Sequence, residues 1–219
     1  MPRPSRNIDQ LLIGAALELL PTTGTRALSI RRVCEHAGVN LGMFHYHFKA
    51  KDVFLRAVLQ QMYDGMFAIL AIEAQRQSTP KKNLRAAIMT LACFARDHRH
   101  LLVRLSNDAM VGETVAIEFL QRNLPRHIGL VVTLISAAQR DGSLRRMPPL
   151  QAFAFVAGGV GAPILLGTAA ADGGMLPVPL AAQFASVSLT DDAIATFVEM
   201  ALAGLAQPPP RTTKSGGRK

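Results

Sequence analysis

At 219 residues, 49% of them hydrophobic, the chain is long enough for one substantial core or for a small domain joined to a larger one. Its two cysteines, Cys34 and Cys93, do not suggest a disulfide framework and fit a reducing compartment, the cytoplasm. The net charge of +9 sits at the two ends: residues 1–56 carry eight Lys or Arg against four Asp or Glu, residues 57–206 twelve against eleven, and residues 207–219 four with no acid. A basic amino-terminal unit favours phosphates, and a nearly neutral apolar middle favours packing and small-molecule binding. A solvated surface without a partner accommodates the same distribution.

In chain order, residues 1–5 belong to a proline-interrupted basic arm (MPRPSRN) expected to be mobile, and no continuous apolar run follows that would make a signal peptide. Ile8, Leu11, Leu12, Ala15 and Leu19 recur at helical spacing, and Pro21 to Gly24 is expected to end that helix. Ser29 is a natural N-cap for a short helix carrying Val33 and Ala37 on one face. Gly38 falls where that helix must stop and reverse, a position suited to a residue without a Cβ. Asn40 can cap a second short helix in which Phe44 and Phe48, at i and i+4, pack inward while Val39 plugs the turn. Asn40, Leu41, Gly42, Met43, His45, Tyr46 and His47 then take the outward or flanking faces, a nearly uncharged edge of the kind that enters a major groove. By pattern alone, an ordinary helical hairpin fits equally.

A long helix is expected from about Lys51 to Gln77, broken by Ser78-Thr79-Pro80. Further helices follow over Leu84 to His98, Leu101 to Met110 and Val115 to Arg140, the last with Pro125 at a kink or junction. Ala152 to Ala171 contains no charge and is long enough to cross a membrane. Its wealth of Ala and Gly, with Pro163 inside, favours a buried helix at a subunit contact. Asp191 or Asp192 starts a last helix striped by Ile194, Phe197, Val198, Ala201, Leu202 and Leu205, and a disordered basic tail is expected over residues 207–219. With no alternating run worth reading as a strand, the fold is expected to be all-α.

Enzyme chemistry finds little support. Gly158-Gly159-Val160-Gly161 lacks both the preceding strand and the following Lys of a phosphate loop. His98 and His100 point to different sides of a helix without metal-ligand companions, and there is no nucleophile elbow. No catalytic residue, metal or cofactor is assigned. Met66, Phe67, Phe94, Met110, Phe119 and His127 are the candidates for an apolar effector cavity, although residues of these types more often belong to a simple core.

The run S-x-R-x-V-x-x-x-A-G-V-x-x-G-x-x-x-Y-H-F-x-x-K, from Ser29 to Lys51 behind an amphipathic helix, resembles the DNA-binding domain of the TetR family of transcriptional repressors over roughly Arg6 to Gly65. The resemblance implies a three-helix helix-turn-helix domain over residues 6–66 and a helical ligand-binding and dimerisation domain over 67–206. It implies that Ser29 lies near a phosphate, that Arg31 reaches a base or phosphate, and that Asn40, Leu41 and Gly42 open the recognition helix. His45 and Tyr46 would contact backbone and bases, and Lys51 a phosphate. Met43 departs from the usual Thr, His45 from the commoner Tyr and Cys34 from a small Ala. A homodimer through the last two long helices, an inverted-repeat operator on double-stranded DNA, release by a small hydrophobic or aromatic effector, and no membrane are likewise implied. The competing reading is a non-catalytic helical protein with a membrane-associated or structural role.

Overall fold

In the computed structural model, which describes residues 5–207, helix α1 (Ser5–Ala27) buries Leu12, Ala16 and Leu20 completely while Leu11 stays 46% exposed. Pro21 does not end the helix. The break comes at Gly24, with φ 67° and ψ 179°, where the chain bends back against a later helix. There the Asp108 carboxylate accepts hydrogen bonds from the Thr25 backbone N–H and hydroxyl, both at 2.7 Å. A Cβ on Gly24 would lie 2.7 Å from that carboxylate, so left-handed backbone and close approach together require glycine.

Helices α2 (Ile30–Ala37) and α3 (Leu41–Phe48) meet at Gly38, whose φ of 64° places it in the left-handed region. Its N–H and that of Val39 return to the Glu35 and Cys34 carbonyls, which satisfies the end of α2. Asn40 caps α3 as expected, its Oδ1 accepting from the N–H groups of Gly42 (2.6 Å) and Met43 (3.3 Å). Ser29 does not cap α2 with its side chain. Only its backbone carbonyl serves the helix, accepting from Val33 N–H at 3.0 Å.

Phe44 and Phe48 turn inward onto α4 (Lys51–Arg76), their ring centroids 5.2 and 4.8 Å from that of Phe54. Beyond Thr79, which caps it, comes α5 (Pro80–Asp97), then α6 (Arg99–Met110) and α7 (Thr114–Arg140). No junction forms at Pro125, and α7 is a single helix across it. The apolar run folds as α8 (Pro149–Val156), a π-helical turn over Ala157–Gly161, and α9 (Ala162–Asp172). Helix α10 (Val178–Ser188) was not anticipated, because only Ser188 of it is buried and no apolar stripe announces it. Thr190 accepts from Ala193 N–H at 3.2 Å to cap α11 (Asp191–Leu205), whose Ile194, Val198, Ala201, Leu202 and Leu205 are buried as the stripe predicts.

One apolar cluster joins α1 to α3 and the first half of α4 with Leu101 and Leu105 of α6 and Val115 and Ala116 of α7. A second joins α5, α7, α8, the π turn, α9 and α11, and a smaller one around Tyr63, Met66 and Leu70 lies between them on α4. Residues 5–7 of the expected basic arm are already helical. The rest of that arm, and the tail beyond Gln207, fall outside the described residues.

Thr25 is fully buried, so removing its acceptor strands two donors. Asp108→Ala is expected to destabilise the fold by about 1–3 kcal/mol and to lower the melting temperature by several degrees. An unchanged melting curve would show that this contact does not hold the bend.

Candidate nucleic-acid interface and effector cavity

Helix α3 stands at the surface with Asn40, Leu41, Gly42, His45 and Tyr46 exposed, Tyr46 to 74%. Met43 is half-buried beside them. Ser29 and Arg31 are exposed on the neighbouring helix, where Arg31 Nε donates to Glu35 Oε1 at 3.1 Å in a solvated pair that water screens.

One expectation needs correction, and a second residue has a partner the sequence does not announce. The His47 side chain is only 7% exposed and its Nδ1 is held against the Asp9 carboxylate of α1, so it braces α3 from behind. The geometry is simple: His47 lies three residues after Phe44 and shares its inward face. Lys51 is also committed, its Nζ donating to the Arg26 carbonyl at 2.8 Å and tying α4 to the end of α1. Exposed Arg32 and Lys49 supply cationic groups near the edge that the sequence reading passed over. Lys49 follows α3 with φ 61°, a left-handed conformation unusual for a side chain with a Cβ.

A cavity of about 270 Å³ opens between α4, α5, α6, α7 and the α8–α9 rod. Met66, Phe94, Phe119 and His127 line it, as the sequence reading expects. Met110 does not, because it ends α6 on the outside and is 83% exposed. Phe67 also lies off the wall, stacked on Tyr63 at 5.8 Å with the Arg126 guanidinium 4.3 Å from its ring. Tyr63, Ser106 and Asn123 were missed, and they carry most of the polar character of the wall. Their signal was faint: three isolated polar residues on otherwise apolar helical faces.

No Lys, Arg, Asp or Glu lines the cavity. The Tyr63 hydroxyl donates to the Asn123 carbonyl at 2.8 Å, and His127 Nδ1 lies 3.4 Å from the same hydroxyl oxygen. Asn123 Nδ2 donates to the Phe119 carbonyl at 3.0 Å and to Gln60 Oε1 at 3.2 Å. Burial pushes the His127 imidazole below its ordinary pKa, opposed in part by its bond to the Asn123 backbone, and pushes the Tyr63 hydroxyl up. Both are therefore neutral near pH 7. Burial also lowers the pKa of His98, whose ring centroid lies 4.5 Å from that of Phe94.

On the far side of the cavity wall, Phe155 (48% exposed), Leu166 (69%) and Met200 (65%) form an open apolar face on α8, α9 and α11. Gly158 and Gly159 of the π turn are exposed beside it, with open space where a Cβ would stand.

Residues 12–58, from within α1 to α4, match the family model for bacterial regulatory proteins of the tetR family. Those residues thus carry a tetR-type amino-terminal domain. The HTH-type transcriptional repressor KstR2 of Mycolicibacterium smegmatis is 25% identical to this chain over 146 residues, covering 65% of this chain and 70% of that one. The fold of KstR2 from Mycobacterium tuberculosis, a ketosteroid transcriptional regulator, superposes with a TM-score of 0.67 at 16% identity over 94% of this chain and 98% of that one. FadR of Bacillus subtilis in complex with stearoyl-CoA gives 0.68 at 13% identity over 90% and 98%. The all-α architecture of the described residues and the tetR-family match over residues 12–58 thus agree with the resemblance carried by Ser29 to Lys51.

Because burial depresses the pKa of His98 and His127, the unfolded chain binds protons more readily than the folded one below about pH 6.5. Stability contributed by these neutral rings is present above that pH and declines as pH falls toward their folded values. The loss of melting temperature between about pH 7.5 and about pH 5.5 is expected to be smaller in His127→Leu than in the wild type. Equal losses would place the titration elsewhere.

Proposed function

We propose that this chain is a ligand-responsive repressor that binds an inverted-repeat operator as a homodimer and leaves it when a small apolar effector fills the cavity. The observation that carries the reading is the exposed edge of α3, where Asn40, Leu41, Gly42, His45 and Tyr46 are offered to a partner while Phe44 and Phe48 anchor the helix from behind. A helix held in this way presents its amino-terminal residues to base edges and its flanking cations to phosphates. Ser29, Arg31 and Met43 flank that edge, and Lys51, once freed from the Arg26 carbonyl, has the reach and charge for a phosphate.

The open apolar face around Phe155, Leu166 and Met200 supports a two-fold contact through α8–α9 and α11, with the exposed glycines of the π turn permitting close approach. Such a dimer would set two recognition helices about 34–36 Å apart or somewhat more. The rival membrane-associated reading rests on the 24-residue apolar stretch Pro149–Asp172. Against it, Val156, Val160 and Ile164 of that stretch are committed to the second apolar cluster, which leaves one open face of the rod and not a whole lipid-exposed helix. For the effector, the uncharged wall supports an apolar molecule, as do relatives described as a ketosteroid regulator and a complex with stearoyl-CoA.

Gel retardation on an inverted repeat from the protein's own promoter region is expected to show a dimer complex whose affinity falls steeply with salt. Tyr46→Ala should weaken it by about tenfold. Equal retardation of random duplex would sink the operator reading. Leu166→Glu is expected to sediment as a monomer without detergent and to lose the operator, whereas a monomeric wild type would sink the dimer.

A further inference from the structure

The hydrogen-bond capacity of the cavity wall is almost spent, and what remains is of one kind. The Tyr63 proton goes to the Asn123 carbonyl at 2.8 Å, the shorter of its two contacts. Its oxygen can then face His127 Nδ1 at 3.4 Å only if that nitrogen carries the ring proton. The Nδ1–H tautomer leaves Nε2 as a bare lone pair. Ser106 has spent its hydroxyl proton on the Leu102 carbonyl at 2.9 Å, which leaves its oxygen as an acceptor. Both protons of the Asn123 amide are used by Phe119 and Gln60, and its oxygen receives Gln60 Nε2 and Arg126 Nη1, each at 3.3 Å.

Resting on the effector-cavity reading above, we infer that the site selects a neutral ligand that donates a hydrogen bond, an alcohol, phenol or N–H compound on an apolar body, and rejects carboxylates and acceptor-only carbonyl compounds. The polar groups left uncommitted, His127 Nε2 and the Ser106 oxygen, both accept. A carboxylate would face lone pairs with no cation on the wall to receive it. Nor is imidazolium a ready substitute. His127 is half-buried, and the Arg126 guanidinium already sits 5.0 Å from the centre of the Tyr63 ring. The cavity volume, about 270 Å³, lies at the small end of ligand sites, which run to about 300–1,000 Å³, so the body is one or two rings or a medium alkyl chain.

Titration calorimetry on the full chain at neutral pH with para-hexylphenol, its methyl ether and para-hexylbenzoate tests this, since the three share a body and differ in the donor. The phenol is expected to bind at least about tenfold tighter than the ether, with the benzoate weakest. In the double variant His127→Leu, Ser106→Ala the ratio of phenol to ether affinity should shrink to about threefold or less. An ether that equals the phenol, a benzoate that binds tightest, or a preference that survives the double variant overturns the inference and leaves the apolar cavity standing. Failure of all three to bind overturns the cavity reading with it. The ligand comparison on the wild-type chain decides even if the double variant does not fold.

Discussion

The ring of Phe54 is the contact on which the rest of the molecule turns. It sits near the start of α4, fully buried, and receives Phe44 edge-on at 5.2 Å and Phe48 at 4.8 Å. Those two rings are the inner face of α3, so the direction in which α3 presents its outer face is set by one aromatic cluster on α4. The same helix, two turns further on, places Met62, Tyr63 and Met66 against the cavity. A single rigid element therefore fixes the exposed edge at one end and the hydrogen-bond pattern of the cavity at the other.

What could be read from the amino-acid sequence follows from how local each feature is. Gly38 and Asn40 act through bonds to residues one to four positions away, and both appear in the structure with the backbone and caps their chemistry demands. The stripe of α11 and the inward phenylalanines of α3 are periodic and equally legible. His47 was misread because its imidazole suggested a surface while its spacing from Phe44 placed it inside, and the partner that accepts it, Asp9, lies on another helix. The Arg26 carbonyl that holds Lys51 was invisible for the same kind of reason, since it is 25 residues away. Long-range partners leave no trace in a local pattern.

The cavity shows where the limit falls. Met66, Phe94, Phe119 and His127 were chosen as large side chains in the middle of the chain and do meet at one wall, but Met110 satisfied the same criterion and lies outside. Size and hydropathy identify residues that want to be buried. They do not say against what. The polar residues that define the site, Tyr63, Ser106 and Asn123, come from three helices packed through all three apolar clusters, so their convergence exists only in the folded chain. Helix α10 marks the opposite case: Val178 is 83% and Val187 63% exposed, and of its large apolar side chains Phe184 alone packs inward, over Gly167 of α9, too little to mark a stripe.

Helix α6 is where the two regions are joined at the shortest distance. Leu102, Leu105 and Ser106 face the cavity, while Asp108, half a turn beyond Ser106, grips Gly24 and Thr25 at the end of α1. A displacement of α6 cannot leave that grip unchanged, because Thr25 is buried and both of its bonds to Asp108 are 2.7 Å long. Connection is only half of a switch. For a ligand to release DNA it must bind one arrangement of α6 more tightly than the other, and the shift in the equilibrium can be no larger than that difference in affinity. The spent donors of the wall bear on this directly. A ligand that only fills apolar volume has no polar handle on Ser106, whereas one that donates to its oxygen attaches itself to α6 within half a turn of the contact that positions the amino-terminal unit.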